Sequence, residues 1–171
     1  MSPATEQQLL PASRRLVWGS LLVALLVDLV PITASIDLLR PDLCLLVLIY
    51  WSTRPRPPAS VWSGWGLGLV KDVAMLLPTG LGAGLYCLCA YVGTHLRKTF
   101  DQMALHAQML VVALLLFAVL GLRAAGQLWL GLRWGGPLEL WSPLFGALLW
   151  PLLPLLLETR RDTPSRGLQG D

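Results

Sequence analysis

The stretch AQMLVVALLLFAVLGLRAAGQLWLGL, residues 107–132, decides the fold class, because it is a long apolar run whose one charged residue is Arg123. About 20 predominantly apolar residues suffice for a helix to cross the hydrocarbon core of a bilayer, so this run predicts a transmembrane helix. The whole chain agrees: 55% of its 171 residues are hydrophobic and 13% are charged, whereas soluble domains carry about 25% charge. This composition excludes a soluble enzyme and a disordered chain.

Five further apolar stretches flank this one, and together they predict an all-α, polytopic membrane bundle of six transmembrane helices. Their approximate bounds are 16–34, 38–53, 60–77, 80–97 and 139–157. The stretch 38–53 is the weakest, because positions 40–42 carry two charges and a proline. A five-span chain with a re-entrant segment there is the alternative. We expect a single transmembrane domain over residues 1–157 and a short polar cytoplasmic tail over 158–171.

The distribution of basic residues favours six spans. With the N-terminus inside, nine basic residues lie in cytoplasmic segments: Arg14, Arg15, Arg54, Arg56, Arg97, Lys98, Arg160, Arg161 and Arg166. Only Arg40 and Arg133 lie in outer segments, which is the positive-inside bias of membrane proteins. Removing the second span would break this alternation, so we predict six spans with both termini in the cytoplasm. The same flanking residues explain the net charge of +3, so no nucleic-acid partner is expected.

Four ionisable residues fall within the predicted spans: Asp28, Lys71, Asp72 and Arg123. Each costs on the order of 2.5–3.5 kcal/mol at a helix centre, so they should face the bundle interior and find partners. Neighbouring side chains of a helix diverge by about 100°, so Lys71 and Asp72 need different partners. We expect Lys71 to pair with Asp28, and Asp72 to pair with Arg123 or the neighbouring backbone. A proton or ion relay is the alternative, although these groups occupy one layer rather than a path.

Glycines and prolines add expectations about helix packing. The pairs Gly64–Gly68 and Gly80–Gly84 each form G-x-x-x-G, which lets helix backbones approach closely in lipid. Pro151 and Pro154 lie in the last apolar stretch. We expect these prolines to kink its helix.

No catalytic, cofactor or metal site is predicted. His95 and His106 have no cysteine or carboxylate at ligand spacing, and no serine or cysteine stands in a recognisable arrangement with a base. The cysteines Cys44, Cys87 and Cys89 lie in apolar runs, where free cysteine behaves as a small hydrophobic residue.

Three short motifs, taken in order, resemble the MreD family of bacterial rod shape-determining membrane proteins. They are Arg40-Pro41-Asp42 with the apolar run to Tyr50-Trp51, then Gly68-x-x-x-Asp72 followed by Gly80, and finally Leu149-Trp150-Pro151. The positions that match the family are Arg40, Pro41, Tyr50, Trp51, Gly68, Asp72, Gly80, Trp150 and Pro151. The resemblance runs from about residue 14 to residue 160. Lys71 departs from it, because the family has an apolar residue before the aspartate.

The resemblance implies a non-catalytic protein of the bacterial cytoplasmic (inner) membrane that acts in the elongasome, the peptidoglycan synthesis machinery of cell elongation. It implies association with MreC, and through MreC with the MreB filament and the RodA–penicillin-binding-protein synthase. The family is similar in fold to the substrate-binding component of energy-coupling-factor transporters, so the lateral surface of the bundle would meet partners. No cofactor is implied. The alternative function is a small-molecule (vitamin-like) binding subunit of a transporter, which requires a pocket lined by convergent polar groups.

Overall fold

The structure, a computed structural model, describes residues 14–31, 39–54, 59–76, 78–132 and 136–158. These residues form helices and turns and contain no strand, which confirms the all-α prediction. The helices are α1 (Arg14–Leu29), α2 (Leu43–Ser52), α3 (Val61–Ala74), α4 (Leu81–Gln102), α5 (Leu105–Trp129), α6 (Ser142–Leu149) and α7 (Leu152–Glu158), with a 3₁₀ helix at Pro137–Trp141 before α6. The predicted tail after residue 158 and the basic residues Arg56, Arg133, Arg160, Arg161 and Arg166 lie outside the described residues.

One helix of the described residues, α5, is long and apolar enough to cross a membrane by itself. It has 25 residues, of which only Val112 and Leu116 are buried by the protein. An apolar helix most of whose residues are partly or fully exposed suits a lipid environment. By contrast, α2 has ten residues and is about 15 Å long, half the thickness of the hydrocarbon core. The described helices therefore show one clear span, and the six-span bundle remains a proposal.

The short helix α2 is the centre of the molecule. Every residue from Cys44 to Ser52 is buried, and α2 packs against α1 and α4. It begins where Asp42 accepts a hydrogen bond from Leu45 N at 3.0 Å, because an aspartate at this position satisfies an otherwise free N–H group. An apolar helix buried on all sides is typical of a protein core. Residues 44–51 of this apolar run are therefore covered by other parts of the protein.

Helices α3 and α4 make the closest helix contact, and glycine permits it. A Cβ atom added at Gly68 would lie 2.6 Å from Ala83 Cα, and one at Gly64 would lie 2.8 Å from the Tyr86 carbonyl oxygen. The first G-x-x-x-G pair therefore packs closely, as predicted. The prediction is wrong for the second pair, because a Cβ at Gly80 or Gly84 would meet no atom within 4 Å. Gly80 instead adopts φ +106° at the start of α4, a conformation that glycine accepts without steric cost.

We expect Gly68→Ala to destabilise the protein by about 1–3 kcal/mol, because the added methyl group pushes α3 away from the α4 backbone. Gly66→Ala is the matched control in the same helix, since a Cβ there meets nothing within 4 Å. It should be neutral or stabilising by up to about 1 kcal/mol, because alanine favours helix. Thermal unfolding of both variants in detergent measures the difference. Equal stability of the two variants would contradict the close α3–α4 contact.

The last apolar stretch is interrupted where the prolines predict it. Helix α6 ends at Leu149 and α7 begins at Leu152. Pro151 has no N–H group, and Trp150 N bonds to Ala147 O at 3.2 Å in a tighter turn. Pro154 lies in the first turn of α7, where the missing N–H group costs little.

Candidate functional site

Three polar side chains from three other parts of the chain meet around Lys71. Its Nζ lies 3.0 Å from Asp28 Oδ2 and 2.8 Å from Asp42 Oδ2, and it donates a hydrogen bond of 3.1 Å to Tyr86 Oη. The Tyr86 hydroxyl donates in turn to Asp42 Oδ1 at 2.6 Å. We call Asp28, Asp42, Lys71 and Tyr86 the charge cluster. It joins α1, the start of α2, α3 and α4.

The two carboxylates of the charge cluster also hold the first N–H groups of α2. Asp28 accepts from Leu43 N at 3.3 Å and from Cys44 N at 3.0 Å, while Asp42 accepts from Leu45 N. The first N–H groups of a helix have no partner within the helix, and its dipole favours negative charge at this end. Asp28 and Asp42 therefore provide hydrogen-bond acceptors for the first N–H groups of α2. Lys71 neutralises one of their two negative charges.

Asp72 accepts hydrogen bonds from N–H groups at the start of α4 in the same way. It is 1% exposed, and its two oxygens accept hydrogen bonds from Gly80 N at 2.9 Å, Gly82 N at 3.1 Å and Ala83 N at 3.2 Å. A Cβ at Gly82 would clash with Asp72 Oδ1, so the carboxylate fits because that residue is glycine. The adjacent side chains of Lys71 and Asp72 thus support the starts of two different helices.

The structure brings together some of the predicted charged residues. Lys71 and Asp28 are in contact, and Asp72 binds neighbouring backbone. Arg123, the other partner considered for Asp72, makes no ion pair with a carboxylate among the residues that the structure describes.

Two members of the charge cluster, Asp42 and Tyr86, were not predicted. The sequence held a signal for Asp42, since an aspartate directly before an apolar run is the usual start of a helix. Tyr86 had no such signal, because its contact depends on how α3 and α4 pack.

The nine positions that resemble the family divide between the two ends of α2. Near its start lie Arg40, Pro41, Gly68, Asp72 and Gly80; near its end lie Tyr50, Trp51, Trp150 and Pro151. At the start, Arg40 Nη1 donates to Val30 O at 3.0 Å. At the end, the Tyr50 and Trp150 rings are 6.0 Å apart, and Trp51 Nε1 donates to Ser20 Oγ at 2.9 Å. These positions therefore lie at both ends of α2 and do not meet in a single site.

A small cleft of about 30 Å³ opens beside the charge cluster. Its polar lining consists of Asp42, Lys71, Asp72, Tyr86, Arg123 and Gln127. No group of three metal-ligating side chains occurs among the described residues. The carboxylates that line the cleft accept hydrogen bonds from backbone N–H groups, Lys71 or Tyr86, so they join neighbouring helices.

Comparison with known proteins assigns the chain to a family. The family model described as rod shape-determining protein MreD matches residues 12–160, which include every described helix. No solved structure matches the chain. The chain belongs to the MreD family of rod shape-determining proteins.

Proposed function

We propose that the protein is a non-catalytic membrane scaffold of the peptidoglycan synthesis complex that elongates rod-shaped cells. The observation that carries this proposal is the match to a rod shape-determining family over residues 12–160. Its partners would be MreC and, through MreC, the MreB filament and the RodA–penicillin-binding-protein synthase. Nothing found for the chain favours the alternative of a vitamin-transporter subunit.

The contacts of the polar residues support a non-catalytic role. Asp28, Asp42 and Asp72 each bind backbone N–H groups at the start of a helix. Lys71 is 7% exposed and held by two carboxylates, so it is a poor nucleophile or base. Charges placed in this way fix the relative positions of α1 to α4. They give a scaffold a defined lateral surface for its partners.

Depletion of the protein in its rod-shaped host tests this function. We expect depleted cells to lose their rod shape and become round, because lateral wall synthesis loses its membrane scaffold. Re-expression of the wild-type chain should restore rods. Cells that remain rods after the protein has disappeared from their membranes would contradict the proposal.

We further propose six spans with both termini in the cytoplasm and a fold like that of the transporter component. The nine cytoplasmic and two outer basic residues support this topology. A membrane-impermeant maleimide should label Arg133→Cys in intact cells and leave Arg56→Cys unlabelled until the membrane is opened. Labelling of Arg56→Cys from outside would overturn the topology.

A further inference from the structure

Two polar side chains of α5 line the cleft beside the charge cluster. Arg123 and Gln127 are one helical turn apart, so they lie on the same face of the helix. Both line the cleft. Among the residues that the structure describes, neither side chain makes a hydrogen bond or an ion pair. An arginine in an apolar helix needs a partner for its charge.

The nearby carboxylates do not need Arg123. Asp42 is bound by Lys71 and Tyr86, and Asp72 accepts three backbone hydrogen bonds. The guanidinium of Arg123 is therefore available to an anion from outside the bundle. Gln127 offers an amide N–H donor beside it.

The side chains of α5 that line the clefts change from polar to apolar along the helix. Arg123 lies six residues before the end of α5 at Trp129, which is about 9 Å, within reach of the membrane surface for a long side chain. Towards the other end of the helix, Leu116, Val119 and Leu120 form the apolar part of a second cleft, which Arg123, Asp42 and Ser142 also line. Donors near the surface and apolar side chains deeper in the membrane match a phospholipid, which has its phosphate outside and its acyl chains inside. A free phosphate would make no use of the apolar part.

We propose that Arg123 and Gln127 bind the phosphate of a phospholipid in the leaflet where α5 ends, with an acyl chain along Val119 and Leu120. The arginine would donate two parallel hydrogen bonds to the phosphate oxygens, the geometry that guanidinium and phosphate favour. This proposal requires α5 to lie in the membrane, and it does not depend on the role in cell elongation.

Native mass spectrometry of the full chain in detergent tests the site, with dioleoyl phosphatidylglycerol and dioleoyl phosphatidylethanolamine as separate probes. We expect the wild-type chain to retain one lipid and Arg123→Gln to bind at least about tenfold more weakly, because a charged hydrogen-bond donor is lost. Lys98→Gln, at an exposed position of α4, is the matched control and should bind as the wild type does.

Three results would overturn the proposal: wild-type lipid affinity in folded Arg123→Gln, displacement of the lipid by inorganic phosphate, or photocrosslinking of position 123 to a protein rather than to lipid. If Arg123→Gln does not fold, Val119→Trp provides a second test with the charges intact. We expect the tryptophan to fill the apolar part of the cleft and weaken lipid binding. Unchanged binding in Val119→Trp would equally overturn the site.

Discussion

Lys71→Met is expected to destabilise the protein by about 3–5 kcal/mol, which is the usual cost of removing one partner from a buried ion pair. The substitution leaves the carboxylates of Asp28 and Asp42 close together without their shared cation. The Asp28 side chain is 2% exposed, so water cannot replace the lost ammonium. We expect low folded abundance in membranes and a large fall in the unfolding temperature in detergent.

Two variants sharpen this prediction. Lys98→Met removes a lysine from an exposed position of α4 and should leave stability within about 0.5 kcal/mol of the wild type. The double variant Lys71→Met with Asp42→Asn removes one of the two negative charges, those of Asp28 and Asp42, that repel each other once the lysine is gone. Because asparagine also caps helix starts well, the double variant should recover part of the lost stability. Wild-type stability of Lys71→Met would contradict the role of the charge cluster in holding the bundle.

Asp72→Ala should cost on the order of 3 kcal/mol or more, because it leaves three N–H groups at the start of α4 without their charged acceptor. Those groups belong to Gly80, Gly82 and Ala83, and Ala83 is buried. Asp72→Asn keeps one acceptor oxygen and should lose less stability than Asp72→Ala. Unfolding in detergent and folded abundance in membranes measure both effects.

The matched control for Asp72 is Asp101→Ala, at an exposed position near the end of α4, which should leave stability unchanged. If Asp72→Ala unfolds like the wild type, the carboxylate does not support α4. If the variant reaches normal abundance and still recovers MreC, Asp72 has no part in that contact either.

The contacts that could be predicted from the sequence are those of residues whose chemistry permits few alternative environments. A lysine and an aspartate within apolar helices have to be neutralised, so the contact between Lys71 and Asp28 follows from the sequence and the cost of burying charge. Similarly, Gly64 and Gly68 share one face of α3, and that face packs on α4. Pro151 interrupts the last stretch because it lacks the N–H group that a continuous helix needs.

The rest depends on packing that local sequence does not encode. An apolar run has the same composition whether lipid or protein covers it, so the sequence does not indicate that neighbouring helices bury Cys44 to Ser52 of α2. Gly80 and Gly84 match the packing motif, yet Gly80 is needed for its left-handed backbone. Tyr86 reaches Asp42 across 44 positions of the chain, and nothing around either residue in the sequence indicates that contact.

Capture of the full-length chain from host membranes in mild detergent tests most directly whether the protein acts by binding other membrane proteins of the elongation complex. The measured quantity is the amount of MreC recovered per captured chain, compared with capture of an unrelated polytopic membrane protein of the same host at equal abundance. The proposal predicts that MreC is recovered in amounts comparable with the captured chain. Recovery of MreC no greater than with the unrelated protein would contradict it.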